Sequence, residues 1–122
     1  MTTAAPATSS RALPHPARDE IRLEAVLHAL SDPVRLQIVR ELAADGDELT
    51  CSQFGLPVTK STTTHHFRVL RESGVIRQTY RGTAKMNVLR RDDLDGLFPG
   101  LLDTLLTAAA HQADRVGGRT GG

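Results

Sequence analysis

The chain of 122 residues contains a single cysteine, Cys51, and no tryptophan. One thiol excludes an intrachain disulfide framework, and it excludes a metal or iron-sulfur site made only of cysteines within one chain. Aromatic residues make up 3% of the sequence, namely Phe54, Phe67, Tyr80 and Phe98, so the core has to be built of leucine, valine, isoleucine and alanine. No apolar run approaches the ~18 residues of a membrane span. The opening MTTAAPATSS has neither a basic stretch nor a hydrophobic one, so a cytoplasmic location is expected. Also missing are a glycine-rich phosphate loop, a metalloprotease spacing and a third residue to join Cys51 and a histidine in a triad. An enzyme reading therefore has little support.

Charge is present but unevenly distributed. The formal net charge is +1, yet between Val58 and Arg91 the residues Lys60, Arg68, Arg71, Arg77, Arg81, Lys85, Arg90 and Arg91 stand against one acid, Glu72. That segment carries +7 and the rest of the chain −6. A local excess of this size is the footprint of a phosphate-binding surface, although a charge run is also what a solvated face looks like.

The length suits one small domain with free ends. Residues 1–18, rich in Ala, Thr, Ser and Pro, read as a flexible arm. The glycine-rich residues 116–122 read as a flexible tail, which leaves 19–115 as the organised domain. Leu23, Val26, Leu27 and Leu30 share one stripe of a first helix. Ser31-Asp32-Pro33 ends it and starts a second from Val34 to about Ala44, with Leu36, Ile38, Val39 and Leu42 inward. Asp45-Gly46-Asp47 breaks the chain, and Thr50 to Phe54 has room for only a short helix before Gly55 and Pro57. Lys60 to Ser73 then reads as an amphipathic helix stopped by Gly74, its outer side polar and basic. Val75–Tyr80 and Lys85–Leu89 form a hairpin around Gly82, and a short helical segment from Asp92 and a final helix from Leu101 to Arg115 complete the chain.

The expected fold is mainly α with a small β-hairpin, in the order of a winged helix-turn-helix. A helix of this kind enters a major groove while the hairpin reaches along the backbone. On that reading Lys60, Ser61, Thr62, Thr64, His65 and Arg68 form the reader, and Arg77, Arg81 and Lys85 serve the wing. His66 is expected to dock the reader or to touch phosphate.

Three stretches, ALSDPVRLQIVRELA from Ala29 to Ala43, KSTTTHHFRVLRESGVI from Lys60 to Ile76, and the wing through Asn87, resemble the ArsR family of bacterial transcriptional regulators. The resemblance implies a homodimer through the first and last helices that represses transcription at a double-stranded operator until a ligand relieves it. Leu23, Val26, Leu27, Leu102, Leu105, Leu106 and Ala109 are the corresponding interface candidates. Many metal-sensing relatives carry a cysteine pair near the short helix, where this chain has Cys51 alone. Others bind nickel, zinc or cobalt on the last helices, where Asp103, His111 and Asp114 form an incomplete set. Two rival readings keep the same architecture: a transcriptional activator, and a winged-helix module that docks an acidic protein.

Overall fold

The computed structural model describes residues 10–50 and 59–121. Residues 1–9, Cys51 and the rest of the short helix expected after Thr50 lie outside the described residues. Thr50 itself closes a strand. The chain divides into two compact units, Met1–Arg90 and Arg91–Gly122.

In the first unit, α1 (Leu23–Leu30) and α2 (Pro33–Ala44) are separated by the cap foreseen from Ser31-Asp32-Pro33. The Asp32 carboxylate accepts hydrogen bonds from the backbone N–H of Val34 at 2.9 Å and of Arg35 at 3.1 Å, and Pro33 occupies the first turn, where its missing N–H costs nothing. Ile38, Val39 and Leu42 are fully buried, and they meet a core that includes Val26, Ala29, Leu30, Phe67 and Leu70. After β2 (Glu48–Thr50) come α3 (Lys60–Ser73), β3 (Ile76–Arg81) and β4 (Ala84–Leu89). The expected hairpin is the centre of a wider, four-stranded antiparallel sheet in the order β1-β3-β4-β2. Gly82, with φ 66°, supplies the first of two turn positions, which suits the right-handed twist of the flanking strands.

Strand β1 (Ser10–Ala12) comes from the segment expected to be a free arm. A 3₁₀ turn follows at Arg18–Glu20. Composition counted only the apolar surface this stretch could bury. The structure holds it through main-chain groups: Leu13 N donates to Gln78 O at 2.9 Å, and the Pro14 and Pro16 carbonyls accept from Arg71 and Arg90. Residues 10–18, expected to belong to a flexible arm, are thus part of the organised structure.

The second unit holds α4 (Arg91–Leu97) and α5 (Leu101–Gly121), with Arg91 Nη1 3.3 Å from Asp103 Oδ1. Helix α5 continues through Gly117 and Gly118, where a stop was expected. A glycine weakens a helix by ~1 kcal/mol relative to alanine and does not forbid it.

Candidate nucleic-acid interface

Helix α3 is framed by local chemistry. Thr59 precedes it in extended backbone and its hydroxyl accepts from Thr62 N at 3.3 Å, while the Thr63 and Thr64 hydroxyls donate to the carbonyls of Thr59 and Lys60 at 2.9 and 3.0 Å. At the other end Gly74 takes φ 90°, and a Cβ added there would come within 2.5 Å of Ile21 Cγ1. Glycine is required twice over, by conformation and by close approach.

One side of the helix is committed to the core: His66, Phe67, Leu70 and Ser73 are buried. The expected reader residues Lys60, Ser61, Thr62, Thr64, His65 and Arg68 are all exposed. A polar and basic surface is therefore presented from a fixed helix.

What fixes it is a buried cluster at the start of α2. Arg35 lies in the core and its Nε donates to Ala29 O at 2.7 Å, satisfying a carbonyl near the end of α1. Its Nη1 meets His66 Nδ1 at 3.3 Å, and that nitrogen lies 3.8 Å from Asp32 Oδ2. Three helices are thus joined around one guanidinium. Burial opposes ionisation of Asp32, but the Arg35 N–H, the Arg35 guanidinium and the Val34 N–H outweigh it and hold this carboxyl below the usual aspartate range. Of the two roles expected for His66, docking is the one the geometry supports.

The basic segment is not a uniform surface. Arg77 is exposed, and Arg81 is exposed but pairs with Glu48 at 3.0 Å. Lys85 lies opposite Tyr80 in the register, with its ammonium 5.7 Å from the ring centroid. Alternation along β3 places Tyr80 on the other side of the sheet from Arg77 and Arg81, so the three expected wing cations are divided between two faces. Arg71, Arg90 and Arg91, counted within the +7, bind groups of the chain itself.

The candidate interface and metal residues are less uniform still. Val26, Leu102 and Ala109 are buried within the single chain and offer little area to a partner, whereas Leu23 and Leu27 are 42% and 43% exposed. Leu105 and Leu106 are half-buried. Among the described residues there is no group of three His, Cys, Asp or Glu suited to a metal ion. Asp103 and His111 are separated by ~12 Å of helix rise, too far to share one ion within a chain, and Asp103 is engaged by Arg91. His111 and Asp114, three residues apart, are both exposed on α5.

Sequence reasoning missed Arg35, Gln78 and Asn87, all buried. A signal was present for each. Arg35 stands three, four and seven residues before Ile38, Val39 and Leu42, on their stripe, and Gln78 and Asn87 each stand two residues from the inward Ile76 and Leu89, on the same strand face.

A helix held by its buried side, open on its polar and basic side and followed by a turn and a basic hairpin, is the arrangement of the winged helix-turn-helix regulators. Residues 30–79 match a family model described as a helix-turn-helix domain. The chain is 38% identical over 89 residues to the uncharacterized HTH-type transcriptional regulator YceK of Bacillus subtilis (strain 168), an alignment spanning 71% of this chain and 88% of that protein. A crystal structure of an ArsR family transcriptional regulator superposes with a TM-score of 0.56 at 20% identity, over 67% of this chain and 90% of that one. The chain belongs to the HTH-type transcriptional regulators, and its fold is ArsR-like. Both relatives are named as regulators of transcription.

Proposed function

We propose that the protein is a cytoplasmic, homodimeric repressor that binds a two-fold DNA operator through α3 and the β3–β4 wing and is released by a ligand. The observation that carries the reading is the division of α3, whose docking side is buried around Arg35 while Lys60, Ser61, Thr62, Thr64, His65 and Arg68 remain open to a groove. Lysine and arginine supply phosphate affinity, and the hydroxyl, imidazole and guanidinium groups supply choice at base edges. Exposed Leu23 and Leu27, with half-buried Leu105 and Leu106, support an apolar dimer contact, which would set half-sites about one DNA turn, ~34 Å, apart or a multiple of it. Repression relieved by a ligand is what the ArsR resemblance implies, and the exposed His111 and Asp114 keep a transition metal among the ligands to test.

The test is a gel shift on DNA upstream of the protein's own gene, with and without zinc, nickel, cobalt, reductant and oxidant. A variant carrying Thr64→Ala and His65→Ala should lose about 1 to 3 kcal/mol of operator binding per lost base contact while keeping its affinity for random duplex. An unchanged operator preference in a correctly folded variant would remove α3 as the reader. A reporter fused to the operator separates repressor from activator. Stronger binding to an acidic polypeptide than to duplex would favour the protein-docking reading.

A further inference from the structure

Arg71 belongs to the basic run, yet its guanidinium is occupied within the chain. From the last turn of α3, Nε donates to Pro14 O at 3.0 Å and Nη1 to Gln78 Oε1 at 2.6 Å. Arginine has only donors, so the rest of the chain of bonds has one direction. With Oε1 taken, Gln78 Nε2 donates to Asn87 Oδ1 at 2.7 Å, and Asn87 Nδ2 donates to Leu49 O at 3.2 Å. Gln78 and Asn87 are 0% exposed and stand opposite each other on β3 and β4. An apolar pair would close such a hairpin equally well. A buried amide pair adds geometry, because its bonds run in one direction between fixed donors and acceptors.

The same guanidinium reaches the N-terminal strap. Strand β1 pairs with β3 in a register that sets Ala12 opposite Thr79 and Ser10 opposite Arg81, so the strap follows the wing to its tip. Leu13 N on Gln78 O and Arg90 Nη1 on Pro16 O, at 2.9 and 2.7 Å, hold the rest of it. The end of α3, the strap and β3 therefore meet at Arg71, and β4 is joined to them through the Gln78–Asn87 bond.

We propose that Arg71 is a positioning residue for DNA binding: by tying the strap and the Gln78–Asn87 pair to the end of α3, it fixes the angle at which reader and wing meet one duplex. The inference rests on the reading of α3 and the hairpin as the DNA-binding pair. Two contacts on a rigid body reinforce each other, because the second forms intramolecularly once the first is made; when their geometry is loose, that gain is lost. Lysine cannot substitute, since a single ammonium lacks the planar fork that reaches two acceptors in fixed directions.

The experiment measures operator and random-duplex affinity over a range of salt, with thermal melting, for the full-length protein and for Arg71→Lys, Gln78→Met and Leu13→Pro. Arg71→Lys and Gln78→Met should each weaken operator binding about tenfold, a partial loss of the ~10²–10⁴-fold gain that a second linked contact can supply. Arg81→Ala should reduce the salt slope by about one in the parent and by much less in the Arg71→Lys background, where the wing no longer engages in register. A purely structural role would not move that second difference. Leu13→Pro removes the N–H that meets Gln78 O, together with a half-buried leucine side chain, and leaves the Arg71–Gln78 bond in place, so it should show a milder form of the same defect and serves if Gln78→Met does not fold. Operator affinity within about twofold of the parent in Arg71→Lys, or an undiminished effect of Arg81→Ala in that background, overturns the inference alone. A parent protein that prefers an acidic polypeptide to duplex overturns the DNA-binding reading, and this inference with it.

Discussion

The first turns of α3 and the hairpin behind it are both rich in cations, and the fold treats them in opposite ways. Lys60 and Arg68 remain on the open side of a helix whose other side is buried around Arg35 and His66. From Arg71 onward much of the charge is used inside the chain: Arg71 and Arg90 bind the carbonyls of Pro14 and Pro16 and Lys85 lies over Tyr80, while Arg81 stays exposed beside Glu48. Equal charge in sequence thus becomes an accessible surface in one region and a set of fasteners in the other. A cation can attract phosphate only with what its nearer partners leave over.

The strongest way to break this contrast is at the dock. Arg35→Ala removes a buried guanidinium, strands the Ala29 carbonyl and leaves His66 without its nearest partner, so it should cost about 3 to 5 kcal/mol in urea unfolding. If the loss were below ~1 kcal/mol, the value of an ordinary single hydrogen bond, the cluster would not be what holds α3 in place.

A smaller effect is expected at Asp32. Loss of this cap in Asp32→Ala should cost about 1 kcal/mol. Because the folded carboxyl titrates below its ordinary value of 3.8, its contribution is fully present above that value and disappears as pH falls through the lower folded pKa. Melting temperatures of the parent and of Asp32→Ala should therefore converge on acidification below pH 3.8 and stay parallel at neutral pH. Parallel curves throughout would show that the charge of Asp32 contributes nothing.

The smallest change in stability is expected at the wing tip. Arg81 and Glu48 form an exposed pair, so Arg81→Ala should alter unfolding by less than ~1 kcal/mol while still lowering the salt slope of DNA binding. Set beside Arg35→Ala, it separates a cation that holds the fold from one that meets solvent. A large loss of stability would place Arg81 with the fasteners.

Much of α3 was legible because its signals are local. Thr59 to Thr64 offer hydroxyls for the first turn, Phe67 and Leu70 mark the buried side, and Gly74 ends the helix, all within a few residues of where each acts. The hairpin turn at Gly82 was legible for the same reason. The dock was half visible. Asp32 and Pro33 announced a helix start, but Arg35 on the apolar stripe has no meaning until a carbonyl of α1 and a histidine of α3 are brought to it.

The sequence by itself determined the mainly helical winged order, the caps, the hairpin and the outward polar side of α3, since these follow from periodicities and turn chemistry acting over one or two turns. Tertiary structure alone decided which cations stay accessible, that residues 10–12 pair with the wing and what Gln78 and Asn87 do. Those outcomes depend on meetings between distant residues: Arg71 with a carbonyl 57 positions away and Arg90 with one 74 away. A main-chain carbonyl is present at every position, so no side-chain pattern shows which one a buried guanidinium will find. Packing has to bring the two together before the bond can form.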